Sequence, residues 1–296
     1  MSSTPGHPEL ARLARLLPRQ PIGPRTLRPV RALQALAGPT RRRDVHKCTL
    51  EDGTRIRVHR PAGASEPTPA LLWLHGGGYI IGTARQDDRL CRRFADALGA
   101  TVAAVDYRLA PEHPYPAALD DAYAGLRWLA SLPTVDPARV AVGGASAGGG
   151  LAAALALRAR DRGEPTPVLQ LLVYPMLDDR SGARPADRAH RLWSPASNRF
   201  AWQCYLGDAD PATAVPARHA ALAGVAPAWI GVGTHDLFHA ENVAYAERLI
   251  AAGVPCRLEV VPGAFHGFDL IAPTKAVSRA FFAAQCADLR AAFARR

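Results

Sequence analysis

Arg139-Val140-Ala141-Val142-Gly143-Gly144-Ala145-Ser146-Ala147-Gly148-Gly149-Gly150-Leu151-Ala152-Ala153-Ala154-Leu155 reads in three parts. A short apolar run ends in glycine, a serine sits among small residues, and an alanine–leucine run of helical composition follows. G-x-S-x-G between a strand and a helix is the pattern of a nucleophile elbow. There a strained turn exposes the serine Oγ, and flanking glycines let strand and helix approach closely. In a chain this rich in glycine and alanine, the same five residues also suit a plain helix-start turn, so partners elsewhere must decide.

About 70 residues upstream, the continuously apolar run Ala70-Leu71-Leu72-Trp73-Leu74 reads as a strand buried on both faces, and His75-Gly76-Gly77-Gly78-Tyr79 follows it. Successive glycines after a strand turn backbone N–H groups into one concavity, which suits a phosphate or an oxyanion. No Gly-Lys-Ser/Thr follows and the spacing is not G-x-G-x-x-G, so phosphate is the poorer account. With an elbow downstream, Gly76, Gly77 and Gly78 become candidate oxyanion-hole residues, completed by Ala147 after the serine.

The order Ser, acid, His is expected on this plan, so the partners must lie after Ser146. Asp236 follows the strand signal Ala228–Val232 through Gly233-Thr234-His235. His266 follows the strand signal Arg257–Val261 through Pro262-Gly263-Ala264-Phe265. Both fall on loops at strand C-terminal ends, where open α/β sheets place ligands. Singly, Asp236 also reads as a helix N-cap and His266 as a surface-loop histidine. His235-Asp236-Leu237-Phe238-His239 looks like the zinc motif H-E-x-x-H, but a strand leads straight into it and no third ligand is evident. No metal site and no cofactor are expected.

Further strand signals at 56–59, 101–105 and 168–174 alternate with helix signals at 88–98, 117–130 and 241–252, which predicts parallel βαβ units. The expected class is α/β, with a mostly parallel central sheet covered by helices on both faces. The alternation fails between Asp178 and Pro216, where Trp193, Phe200, Trp202 and Tyr205 sit among Pro, Ser and Asp; a long aromatic insertion there reads as a lid. The first 43 or so residues are rich in Arg, Leu and Pro, with Leu10, Leu13, Leu16 and Leu17 at helical spacing. They read as an amphipathic segment over the mouth of the main domain, or, being acid-poor, as a membrane-surface or transit helix.

A chain of 296 residues buries roughly three quarters of its unfolded surface, enough for one large core without disulfides. Five cysteines, odd in number and without a C-x-x-C pair, predict reduced thiols and a cytoplasmic protein. The net charge of +10 comes from arginines scattered among acids, with Lys47 and Lys275 the only lysines, which argues against a nucleic-acid surface. No apolar stretch approaches the ~18 residues of a membrane span, and the start Met1-Ser2-Ser3, with Pro5 and Pro8, lacks the pattern of a secretory signal.

His75-Gly76-Gly77-Gly78-Tyr79, Asp106-Tyr107-Arg108-Leu109-Ala110-Pro111-Glu112, the elbow, Val173-Tyr174-Pro175 and His266-Gly267-Phe268 together resemble the hormone-sensitive-lipase-like family of α/β-hydrolase esterases. Arylacetamide deacetylase is a relative of the same group, and the resemblance covers about residues 50 to 290. It implies a small helical cap, here residues 1–45 plus an insertion at about 178–216 on a catalytic domain at 46–296. It also implies a Ser146, Asp236, His266 triad, backbone donors from Gly77, Gly78 and Ala147, and frequent dimerisation through the last strand. The implied substrates are small hydrophobic carboxylic esters of short or medium chain. Two departures stand out: Ala145 replaces the usual Asp before the nucleophile, and Ala240 replaces a carboxylate after the acid, which leaves Glu241 as a second acid to consider. Amide or deacetylase chemistry would use the same groups, whereas a non-catalytic receptor on this fold would be expected to lack one of them.

Overall fold

The computed structural model describes residues 5–17, 22–36, 45–61, 63, 65–183, 185, 187 and 189–295. The opening Met1-Ser2-Ser3, the boundary of the expected cap segment near residue 45 (37–44) and Arg184, Ala186 and Arg188 of the insertion lie outside the described residues.

Among the described residues eight strands form one sheet: β1 (His46–Thr49), β2 (Arg55–His59), β3 (Thr68–Leu74), β4 (Thr101–Asp106), β5 (Val135–Ala145), β6 (Gln170–Val173), β7 (Ala228–His235) and β8 (Cys256–Phe265). Their order across the sheet is β1-β2-β4-β3-β5-β6-β7-β8. The pairs β1–β2 and β2–β4 are antiparallel, and all others are parallel. After β3 the chain crosses outward to β4, and after β5 it proceeds the other way. The crevice between β3 and β5 is therefore the switch point, where sheets of this kind bind ligands beyond the strand C-termini.

Alternation along β3 explains why its sequence is apolar throughout. Ala70, Leu72 and Leu74 enter the core on one face, with Leu126, Leu151 and Tyr245. Leu71 and Trp73 enter the core on the other, with Phe94, Phe281 and Leu289. The helices supplying these partners are α3 (Asp88–Leu98), α4 (Ala117–Ala130), α5 (Ala147–Arg162), α8 (His239–Ala251) and α10 (Ala276–Ala294). Each parallel crossover must pass over a face, so both faces are covered.

Among the described residues the remaining α-helices are α1 (Ala11–Leu16), α2 (Leu27–Leu36), α6 (Pro195–Leu206) and α7 (Pro211–Ala214), in the two segments that break the alternation, and α9 (Phe268–Ile271), directly after β8. Pro195 at the first position of α6 and Ser194 as its cap, accepting from the Ser197 N–H, start that helix where the sequence changes register. The N-terminal segment runs over the strand C-termini. The His7 N–H donates to the Gly263 carbonyl, the Ile22 N–H to Ser197 Oγ at 2.8 Å, and Arg31 Nε to the Ile80 carbonyl at 2.7 Å. Leu10 is buried, whereas Leu16 of α1 is 82% exposed.

At the start of α3, Arg57 donates to both oxygens of the buried Asp88, at 2.7 and 2.5 Å, and the buried His59 lies 3.4 Å from the same carboxylate. This cluster ties β2 to α3. Removing one partner of such a pair strands the other charge in a dry site. Asp88→Ala is expected to lower unfolding free energy by about 3–5 kcal/mol, read as a lower urea midpoint at unchanged slope.

Candidate active site

Ser146 sits between β5 and α5 at φ 59° and ψ −120°, a region that L-residues rarely occupy. Its backbone is held on both sides: the N–H donates to the Val173 carbonyl at 2.9 Å, and its carbonyl accepts from Gly150 at 3.0 Å and Met176 at 2.9 Å. The turn folds α5 so tightly onto the sheet that a Cβ on Gly148 would lie 2.0 Å from the Leu74 carbonyl oxygen. Only glycine fits there.

Register brings the other parts level with it. Leu74 pairs with Gly144 across β3 and β5, so the loop after β3 emerges beside the elbow. A Cβ on Gly76 would lie 3.4 Å from Ser146 Cβ, which puts the glycine loop against the serine. Among the described residues no protein acceptor takes the N–H of Gly77, Gly78 or Ala147. The His75 ring stacks on Tyr107 with centroids 4.1 Å apart, and the Tyr107 hydroxyl donates to the His75 carbonyl, which fixes the base of the loop.

His235 pairs with Phe265 across β7 and β8, so the next residue on each strand, Asp236 and His266, emerge side by side. His266 Nδ1 lies 2.8 Å from Asp236 Oδ2, and His266 Nε2 lies 2.9 Å from Ser146 Oγ. A carboxylate only accepts, so Nδ1 carries the proton and Nε2 is left to accept from the serine hydroxyl. Asp236 Oδ1 accepts from the Phe238 N–H at 2.9 Å, which fixes the carboxylate plane. Ser146 and His266 are 7% and 8% exposed. His235 ends β7 and His239 begins α8, so these two histidines do not share the single helix face that a zinc pair requires.

Two residues without a separate sequence signal hold the imidazole. The Tyr174 ring meets it edge-on at 4.9 Å and Phe238 does so at 5.2 Å. The Tyr174 hydroxyl donates to Asp269 Oδ1 at 2.8 Å, and burial raises that carboxyl above its usual range. Tyr174 appeared in a motif but without a role, and Asp269 is brought to it only by the packing of α9. From the insertion, Trp193 packs against Gly78 and Leu192 against Gly267. Of the family departures, Ala145 is buried in apolar surroundings and Ala240 is half-buried in the first turn of α8.

Glu241 does not approach His266. Its Oε1 accepts from the Leu177 N–H at 2.6 Å and the Asp178 N–H at 3.2 Å, which anchors the start of the insertion to α8. Burial pushes its carboxyl up to about 8, against opposing hydrogen bonds from Ser181 and Leu177. The fold therefore keeps a proton that the unfolded chain releases above the ordinary value of 4.5. A raised carboxyl favours the fold least at high pH, so stability declines from about pH 4.5 to 8 through this group. Glu241→Gln keeps the accepting oxygen and is expected to flatten that decline by up to a few kcal/mol, measured by urea unfolding at the two ends of the window.

A family model described as alpha/beta hydrolase fold matches residues 71–270. The chain is 39% identical over 262 residues to Esterase LipI of Mycobacterium tuberculosis, covering 85% of this chain and 78% of that protein. It is 37% identical over 238 residues to an ethyl acetate hydrolase of Pseudomonas putida, covering 74% of this chain and 73% of the relative. The solved structure titled Bacterial Heroin Esterase superposes with a TM-score of 0.88 at 36% identity, covering 98% of each chain. The matched span runs from the middle of β3 to α9 and so takes in the glycine loop, the elbow and both loops that carry Asp236 and His266. On that span the chain belongs to the hormone-sensitive-lipase-like branch of the alpha/beta hydrolase fold.

Proposed function

We propose that this chain is a serine carboxylesterase that hydrolyses short- to medium-chain carboxylic esters through an acyl-enzyme on Ser146. The observation that carries the reading is the continuous bond path from Asp236 through both ring nitrogens of His266 to Ser146 Oγ. Relatives named as esterases and as an ethyl acetate hydrolase support esters as the substrate class. A receptor on the same fold has no use for this connected arrangement.

In the proposed reaction His266 Nε2 takes the Ser146 proton as Oγ attacks the ester carbonyl carbon, and Asp236 stabilises the imidazolium. The carbonyl oxygen, gaining negative charge, is met by the unengaged N–H groups of Gly77, Gly78 and Ala147, with Gly76 holding the loop against the serine. The C–O bond breaks as His266 returns its proton to the leaving alcohol. A water, deprotonated by the same nitrogen, then releases the acid and restores Ser146. Acyl transfer of this kind needs no cofactor.

The N-terminal segment and the insertion at 178–216 act in this reading as a two-part cap, supported by their contacts with the glycine loop and the Gly263 turn. Among the described residues no strand pairs with the outer edge of β8, which supports dimerisation through that strand. All five cysteines are free, which supports a reducing, cytoplasmic setting. Among the described residues no helix is long and apolar enough to cross a membrane.

Hydrolysis of p-nitrophenyl butyrate is expected to fall ~10⁶-fold in kcat for Ser146→Ala and ~10⁴-fold for Asp236→Asn. Wild-type rates in either variant, or no hydrolysis by the wild type, would overturn the assignment.

A further inference from the structure

Residues 191–193 join three elements at the mouth of the site. Arg191 is buried, and its guanidinium donates through Nε to the Ala14 carbonyl of α1 and through Nη1 to the His190 carbonyl at 2.8 Å. The Trp193 N–H donates to the Arg191 carbonyl at 2.7 Å, closing a three-residue turn about Leu192 at φ 64°. A leucine in that region is held there only by its surroundings.

The turn sends its side chains to the two flanks of Ser146. Leu192 Cδ1 lies 3.4 Å from where a Cβ on Gly267 would be, beside His266. Trp193 Cη2 lies 2.2 Å from where a Cβ on Gly78 would be, so its indole rests on the oxyanion loop. From behind, Trp193 Nε1–H donates to Asn198 Oδ1 of α6 at 3.2 Å, and the neighbouring Ser197 hydroxyl accepts from the N-terminal segment at Ile22.

These flanks are not chemically equivalent. The general acid must reach the leaving oxygen, so the alcohol part of an ester bound at Ser146 lies on the His266 side. The carbonyl oxygen faces the N–H groups of Gly77, Gly78 and Ala147, and the acyl chain, on the far side of the carbonyl carbon from the alcohol, is left the side of the glycine loop on which the Trp193 indole rests. Resting on the esterase reading above, we infer that Trp193 is the residue that limits acyl-chain length and that Leu192 separately limits the alcohol. The favoured substrates are then esters of short acyl chains, with longer chains admitted only when the indole is displaced.

The test compares kcat/KM over two series, p-nitrophenyl esters from acetate to decanoate and alkyl acetates from methyl to octyl. Each added methylene in a shaped pocket changes discrimination by roughly 10- to 200-fold. Trp193→Ala is expected to raise the octanoate-to-acetate ratio at least ~10-fold and to leave the octyl-to-methyl ratio of the alcohol series in place. Leu192→Ala is expected to do the reverse. Trp193→Leu, which keeps an apolar filler, should give an intermediate acyl profile and carries the test if the alanine variant does not fold by circular dichroism.

An acyl profile identical to wild type in the folded Trp193 variants overturns the inference, and so does an equal shift in both series. Ester hydrolysis that survives in Ser146→Ala, or is absent from the wild type, defeats the esterase reading instead, so the two failures are distinguishable.

Discussion

Ser146 holds a backbone conformation that costs on the order of 1–3 kcal/mol, and its surroundings are arranged to leave it no alternative. Its N–H and carbonyl are both engaged, with Val173, Gly150 and Met176. The residues two either side, Gly144 and Gly148, face each other so closely that a Cβ on Gly144 would lie 2.4 Å from the Gly148 carbonyl oxygen. Tight packing of α5 onto β3 and β5 follows from that turn. So does the position of the glycine loop, because Gly148 at the start of α5 packs directly against the Leu74 and His75 carbonyls, where β3 ends and the loop begins. The strain is local, and the buried helix and central strands on either side of the turn offset it.

The positive charge of the chain has a structural use that composition alone does not reveal. Several arginines bond backbone carbonyls of loops: Arg31 to Ile80 and Ala110, Arg160 to Ala221 and Ala223, Arg248 to Ala217 and His219, and Arg199 to Gly182. A loop leaves carbonyls without ladder partners, and the planar guanidinium, with five donors and no acceptor, satisfies two at once. These arginines lie in or beside the segments that interrupt the βα alternation. Part of the charge that invites thoughts of an anionic partner therefore holds loops in place.

The sheet was legible wherever burial wrote the sequence. β3 reads as continuous apolar residues because both faces are covered, and the helix signal at 117–130 coincides with α4. β1 was not legible because His46-Lys47-Cys48-Thr49 is a short polar edge strand with little burial, defined only by its pairing with β2. α10 is not legible either, although Phe281, Gln285, Leu289 and Phe293 recur at four-residue steps on its buried face. Its many alanines blunt the contrast between faces on which a periodicity argument depends. At the site, chain order and local motif sufficed to name Ser146, Asp236 and His266 as candidates. Leu192 and Asp269 carry no local pattern, since their positions are set by a turn in the insertion and by the packing of α9.

Two acids follow β7 within six residues, and their environments give them different work. Asp236 stands at the strand end, beside a histidine it can ion-pair and with a backbone N–H of its own to accept from. Glu241 is in the first turn of α8, enclosed, with only neutral donors for its carboxyl. A carboxyl in such a place keeps its proton, because neutral donors do not repay the loss of water around a charge. A neutral acid cannot stabilise an imidazolium, so Glu241 is unsuited to the role of Asp236 even though it is the same kind of group. What it does instead is bond the two N–H groups where the insertion leaves the sheet. The chain after Leu177 is thereby tied to the helix that begins just beyond Asp236, and the segment that carries Leu192 and Trp193 starts from a fixed point close to the triad.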